Sequence, residues 1–302
     1  MDEVIKKLLR SPECRKLFKQ RPEPPPAKGK APAKKATKTP DKKRRGTWAN
    51  ARALQSKLIF RLKKYGKANP AAIELLGILT KCRRKRRCCN PACPKCTYAA
   101  QGLWAMLLRD FMDAGNNLDR CVTIVALRRI LPDNDRGYVK VGWFRAELDD
   151  AFDDANVTLV VGAFDFDVSE FPDGEYKDHC RPHFHALALS SECDKGDAVI
   201  RKHFTTKGSV FKPVQIEPFD DNERWLWYTL KIPNTRKVRR ADEERGDDGS
   251  VRQKDPDYRE LRTLQHVQQA LLLHNLGWSG RFYLRGVELK ESKMNRWFLA
   301  RT

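Results

Sequence analysis

The stretch PHFHALALS, Pro182 to Ser190, decides the fold. Read as a β-strand, it sends residues i and i+2 to one face, so His183 and His185 project together while Phe184 enters the core. Upstream, VTLVVGAFDFDV (Val157 to Val168) is a second strand, and the acidic loop between the two predicts an antiparallel pair. CVTIVAL, Cys121 to Leu127, is a β-branched run and hence a buried strand. Val210 to Ile216 and Arg281 to Val287 supply further strands. Apolar spacing predicts helices over Gly142 to Ala155, residues 195–207, Arg224 to Ile232 (stopped by Pro233) and Tyr258 to Leu276, with residues 236–257 a charged loop.

Before Gly115 the pattern is helical. Residues 1–20 read as a short amphipathic helix, Trp48 to Thr80 as helix broken at Asn69-Pro70, and Tyr98 to Ala114 as another. Between Arg21 and Gly46 the chain is Pro, Ala and Lys, with nine basic residues from Lys28 to Arg45, too polar to bury a core. The class is therefore α+β, an antiparallel sheet of about five strands with flanking helices. It is expected as three regions: a largely disordered basic arm (1–46), a helical cysteine segment (47–114) and a sheet domain (115–302).

Charge is distributed unevenly. The net charge of +21 comes from the first 100 residues, where 29 basic side chains face 6 acidic ones, while the rest of the chain is slightly acidic. Such asymmetry points to a polyanionic partner, and nucleic acid is the commonest. A second basic cluster, Arg83, Arg84, Lys85, Arg86 and Arg87, lies inside an apparently folded segment and is a candidate DNA contact. A hydrophobic fraction of 40% excludes wholesale disorder. No apolar run approaches the ~18 residues of a membrane span, and none near Met1 resembles a secretory signal. A soluble protein of the cytoplasm or nucleoid, with no membrane partner, is expected.

Three constellations can carry chemistry. His183 and His185 form half of a metal site, and Asp165 and Asp167 share one face of the strand expected beside them. Imidazole with carboxylate suits Mg²⁺, Mn²⁺ or Zn²⁺. In RWLWYTLK, Tyr228 and Lys231 stand i, i+3 on one helical face. A tyrosine is a weak nucleophile near its free pKa of ~10, and a nearby cation lowers the cost of phenolate. Cys82, Cys89, Cys93 and Cys96 supply four thiolates for tetrahedral Zn²⁺, Pro91 and Pro94 impose turns, and Cys88 competes for the second position. Each motif alone also fits a structural role: hydrogen-bonded histidines at a strand end, Tyr228 as one more core aromatic, reduced cysteines without metal.

Taken in order, CVTIVAL, PHFHALAL and YTLK resemble the three motifs of the HUH (His-hydrophobic-His) endonucleases, the single-tyrosine rolling-circle replication initiators, and RCCNPACPKC resembles the cysteine knuckle that many relatives carry before the first motif. The resemblance covers residues 82–290. It implies His183 and His185 as ligands of a divalent metal (Mg²⁺ or Mn²⁺), Asp165 as third ligand with Asp167 second, Tyr228 as nucleophile and Lys231 as its helper. The activity implied is nicking and joining of single-stranded DNA at an origin through a 5′-phosphotyrosyl link, with a structural Zn²⁺ in the knuckle. No helicase motif follows, so a host helicase and polymerase would be partners. The strand Val122-Thr123-Ile124-Val125 departs from the family's more regular Thr-x-Thr pattern, and aspartates stand where a glutamate is frequent. Competing readings are a DNA-binding regulator or domesticated remnant without catalysis, a single-tyrosine transposase, and a structural or RNA-binding zinc protein.

Overall fold

The computed structural model describes residues 2–11, 14, 48–83, 86–126, 131–132, 141–172, 178–205, 212–221, 223–232, 235–238, 243–245, 251–253, 257–292 and 297–302. The expected disordered stretch from Arg21 to Gly46, Arg84 and Lys85 of the basic cluster, and most of the acidic loop before the histidine strand lie outside these residues.

Four helices come first: α1 (Asp2–Arg10), α2 (Trp48–Tyr65), α3 (Pro70–Lys81) and α4 (Pro94–Asp113). The α2–α3 break falls at Asn69-Pro70, where Asn69 Oδ1 accepts from Ala72 N at 3.2 Å and Pro70 occupies the first helical turn, a position where its missing N–H costs nothing. There follow β1 (Arg120–Val125), β2 (Leu131–Pro132), α5 (Gly142–Asp154), β3 (Val160–Glu170), β4 (His179–Ala188), α6 (Ser190–His203), β5 (Val214–Pro218) and α7 (Glu223–Tyr228). The last part holds β6 (Thr235–Val238), β7 (Glu243–Arg245), β8 (Val251–Gln253), β9 (Asp257–Glu260), α8 (Thr263–Arg281), β10 (Phe282–Arg285), β11 (Val287–Glu291) and β12 (Trp297–Arg301). Among the described residues no helix is long and apolar enough to cross a membrane.

The fold is mixed α and β, built on a sheet of eight strands among the described residues, and the expected purely antiparallel sheet is too narrow a description. Strands run β5-β1-β4-β3 antiparallel. The free edge of β3 is then shared: β10 pairs antiparallel with Val160 to Ala163, while β6 pairs in parallel with Val168 to Glu170 and carries β9 beyond it. The charged stretch read as loop contains β6 because Glu170, only 3% exposed, must be paired to be buried at all. Its carboxylate takes Arg236 Nε at 2.8 Å, Arg262 Nε at 2.9 Å and Gln265 Nε2 at 2.6 Å, which fastens β6 and the start of α8 to β3. Three further expectations change: residues 257–260 are strand rather than the start of a helix, the helix expected to reach Ile232 ends at Tyr228, and the β11–β12 hairpin follows β10.

Both sheet faces are covered. Phe184 and Ala186 of β4 pack with Phe164, Phe144 and Phe152 against α5, the rings of Phe164 and Phe184 being 5.5 Å apart. On the other face Cys121, Val161, Ala163 and Leu187 meet Leu103, Trp104 and Leu107 of α4. Strands β3 and β4 come so close at Gly162 that a Cβ there would stand 2.5 Å from the His185 carbonyl oxygen. Helix α8 is kinked at Gly277, whose φ of 64° suits glycine, and Asp2 of α1 caps the turn after the kink by accepting from Ser279 N at 2.6 Å. The helices before residue 115 thus share both cores with the sheet.

Candidate active site and metal centre

The sheet face under α4 changes character along its strands. From one end, β3 presents Val161 and Ala163 and then Asp165 and Asp167; β4 presents Leu187 and then His185 and His183; β1 presents Cys121 and then Thr123. The register puts Asp165 opposite His183, Ala163 opposite His185, and Thr123 opposite His185 on the far side. Alternation thus carries one apolar face, by steps of two residues, into a polar patch where the helical cover ends.

Helix α7 lays Tyr228 over that patch. The Tyr228 and His185 rings are 4.8 Å apart edge to face, Trp225 closes the side at 5.7 Å from Tyr228, and Lys231 Nζ stands 4.0 Å above the tyrosine ring centre. Tyr228 is 40% exposed, whereas Leu226 and Leu230 beside it are buried. Six residues cannot hold a helix alone, and α7 is anchored from α4. Trp104 Nε1 donates to Thr229 Oγ1 at 3.1 Å, Thr229 Oγ1 donates to the Leu226 carbonyl at 2.9 Å, and Gln101 Nε2 donates to the Trp227 carbonyl at 3.4 Å. Lys231 lies past the helix end, which falls at Tyr228, and not on its surface.

Two lysines meet the two carboxylates. Lys231 Nζ is 3.4 Å from Asp165 Oδ2, and Lys237 of β6 forms an ion pair with Asp167, whose Oδ2 is also 3.5 Å from His183 Nδ1. Burial opposes ionisation of Asp167, but His183, Lys231 and Lys237 hold its carboxyl well below the usual carboxylate range. Burial, reinforced by the lysines, pushes His183 down to about 3 against the pull of Asp167, and it pushes His185 well below its ordinary value. Lys231 is held above the usual lysine value: burial works against it, and Asp167, Asp165 and Tyr228 outweigh burial. At neutral pH the site is two neutral imidazoles, an ionised Asp167 and a cationic Lys231 against the tyrosine ring.

His185 Nδ1 meets Thr123 Oγ1 at 3.1 Å, while its buried Nε2 and the buried Oδ1 of Asp165 have no hydrogen-bond partner among the described residues. Donors of the right kind are present, but the His183, His185 and Asp165 atoms are not all within 4.8 Å of one another. Asp165 leans to Lys231 and Asp167 to Lys237 instead.

The cysteines are gathered more tightly. The sulfurs of Cys82, Cys88, Cys93 and Cys96 lie within 4.8 Å of one another, the one such ligand group among the described residues. Cys82 and Cys96 are 3.8 Å apart, Cys88 and Cys96 3.6 Å, Cys82 and Cys93 3.7 Å. A tetrahedron with Zn–S near 2.3 Å has edges of about 3.8 Å. Hydrogen bonds from the other three thiols pull Cys82 far below the free-thiol value, while burial pushes Cys93 up, and the bond to Cys82 with other contacts pushes Cys96 up. The group can hold a metal ion. The expected second ligand is corrected from Cys89 to Cys88. Cys89 takes a φ of 55°, and its carbonyl accepts from Trp278 Nε1 at 2.8 Å. Its thiol points away to the Lys6 carbonyl, and burial pushes it up to about 11.

The basic cluster is only partly outward. Arg83 and Arg86 are exposed, whereas Arg87 is turned in, its guanidinium 5.4 Å over the Trp48 ring. Sequence reasoning missed Lys237, Trp225 and Arg281 at the site. Fully buried Arg281 donates to the Lys231 carbonyl at 2.9 Å and lies near Asp165. No family model matches the chain, and the searches of curated proteins and of solved structures gave no match.

Proposed function

We propose that the chain nicks and rejoins single-stranded DNA with Tyr228 as nucleophile, the chemistry that starts rolling-circle replication. The observation that carries this reading is the edge-to-face contact of Tyr228 with His185 at 4.8 Å, with the Lys231 ammonium 4.0 Å from the centre of the phenol ring. A divalent cation (Mg²⁺ or Mn²⁺) on His183, His185 and Asp165 would withdraw charge from a phosphate oxygen. Supporting its place are the two neutral imidazoles, the unpartnered Nε2 of His185 and the unpartnered Oδ1 of Asp165. In attack, the Tyr228 oxygen bonds to phosphorus as the bond to the 3′ oxygen breaks. The phenol's proton passes to solvent, and the leaving 3′ oxygen takes one up. Lys231 stabilises the phenolate on the way in and on the way out. Joining is the reverse, a 3′-hydroxyl displacing the tyrosine.

In the knuckle, Cys82, Cys88, Cys93 and Cys96 would hold a structural Zn²⁺. Cys93 stands at the N-cap position of α4 and Cys96 in its first turn, so the ion would fix the end of the helix that grips α7. The test of the activity is an SDS-resistant adduct between the protein and a labelled single-stranded oligonucleotide library in Mn²⁺. It should form with the native chain and vanish in Tyr228→Phe while DNA binding remains. An adduct retained by Tyr228→Phe removes the nucleophile, and tight binding with no adduct from the native chain would favour a DNA-binding regulator.

A further inference from the structure

An open cavity of about 480 Å³ lies where α2, the end of α3 and the knuckle meet. Trp48, Ile59 and Leu79 supply its apolar lining, and Arg52, Gln55, Ser56, Arg83 and Lys95 its polar lining. Three of the lining side chains are cations and none is a carboxylate. Two of them are held by neutral groups: Lys95 Nζ donates to the Cys82 carbonyl at 3.0 Å, and Arg83 Nη1 to the Thr80 and Cys82 carbonyls at 2.6 and 3.2 Å. Among the described residues no ion pair joins Arg52, Arg83 or Lys95 to a carboxylate. Three positive charges line one concavity without a carboxylate among its lining residues, and the sulfurs of the adjacent cysteine group offset them only in part, so an anion entering it is attracted.

The aromatic wall narrows the choice of anion. Trp48 is half-buried and held in place by Arg87 at 5.4 Å and by Tyr98 at 6.0 Å. A rigid indole beside several cations suits a ligand with both a flat face and phosphates, and only an unpaired base can leave its strand to stack there. A cavity of this size is in the range that takes a small ligand, about 300–1,000 Å³. Ring contacts link the cavity's Trp48, through Tyr98, to the helix that carries the tyrosine. Tyr98 is 6.1 Å from Trp227, the residue before Tyr228.

We propose that this cavity receives one nucleotide of the single-stranded DNA, its base against Trp48 and its flanking phosphates on Arg52, Arg83 and Lys95. The identity of the strand rests on the reading of Tyr228 as a DNA nucleophile. The experiment uses the full chain carrying Tyr228→Phe, in EDTA, so that binding is read without cleavage. A dT₁₂ oligonucleotide bearing 5-iodouracil is photo-cross-linked and the adduct mapped by peptide mass spectrometry, with salt titrations of dT₁₂ and U₁₂ alongside. The expected result is an adduct on Trp48. In Arg52→Glu, a change on an exposed helix position, dT₁₂ affinity should fall about tenfold and the slope of log affinity against log salt should flatten by roughly 0.7 per lost phosphate contact. Cross-links elsewhere but none on Trp48, an unchanged slope in Arg52→Glu, or tighter binding of U₁₂ than of dT₁₂ would each overturn the proposal. Cross-linking at Trp48 without any covalent adduct from the native chain would keep the cavity and sink the nickase.

Discussion

Replacing Cys88 and Cys89 one at a time by serine separates two readings that the sequence leaves one residue apart. The structure places the Cys88 sulfur 3.6 Å from that of Cys96, and points the Cys89 thiol at the Lys6 carbonyl. A structural Zn²⁺ in a four-ligand site of this kind is bound by about 10–16 kcal/mol. One ligand's share is about 2.5–4 kcal/mol, a loss of roughly 10²–10³-fold in affinity. Because binding to the folded state alone adds to stability, Cys88→Ser should also lower the melting temperature by roughly 5–15 °C in saturating zinc. Cys89→Ser exchanges one small buried group for another and should cost about 1–2 kcal/mol with no change in zinc. The assay is chelator competition with a zinc-sensitive dye, combined with thermal melting of the native chain and both variants. Loss of zinc from Cys89→Ser with retention in Cys88→Ser would refute the assignment, and purified protein with no zinc and chelator-insensitive melting would refute the site.

Lys231→Met should slow single-turnover cleavage about 10²–10³-fold, the usual effect of removing one preorganised charge from a transition state, and should leave oligonucleotide affinity unchanged. It also strands the buried Asp165 carboxylate, so the added change Asp165→Asn should restore thermal stability without restoring cleavage. His266 is buried beside Arg61, with its Nδ1 2.8 Å from that guanidinium, and burial and the Arg61 charge push it down to about 4. The unfolded chain then binds a proton on this residue below pH 6.5 that the folded chain refuses. The stability it contributes is complete above pH 6.5 and is lost as pH falls toward 4, about 3 kcal/mol across that window. His266→Gln should flatten the dependence of denaturation midpoint on pH by one proton, and an unchanged slope would show that the residue is not held neutral.

The histidine strand was legible because β alternation is rigid: in His183-Phe184-His185 the two imidazoles have to share a face, and the pairing of β3 with β4 follows from the short acidic connection. Tyr228 and Lys231 were legible as a pair but not as a geometry. Their sequence spacing suggests a helix surface, whereas Lys231 sits past the end of α7 and reaches the phenol ring from a turn. Lys237 could not be read at all. It lies in a stretch whose charge marks it as solvent-exposed, and only the burial of Glu170 on β3 shows why that stretch becomes β6. The choice between Cys88 and Cys89 turns on a single backbone angle, the positive φ of Cys89 pinned by Trp278 almost two hundred residues downstream. Non-local contacts of that sort leave no local pattern.

The division between a cysteine segment and a sheet domain is physically less separable than composition suggests. Helix α4 starts inside the knuckle, with Cys93 at its cap, and eight residues after Cys96, about 12 Å along the axis, it presents Trp104 to Thr229. Helix α7 has only six residues and makes its fixed contacts with α4 through Trp104, Gln101 and the buried Leu226 and Leu230. The histidine strand, by contrast, is held on both sides by β1 and β3 and needs no helix from the front of the chain to keep its register. The two halves of the proposed chemistry therefore have different supports. The metal-ligand half belongs to the sheet, and the nucleophile half belongs to the knuckle helix. A lesion in the cysteines should displace Tyr228 while leaving His183 and His185 aligned, so that loss of zinc silences cleavage through the position of the tyrosine.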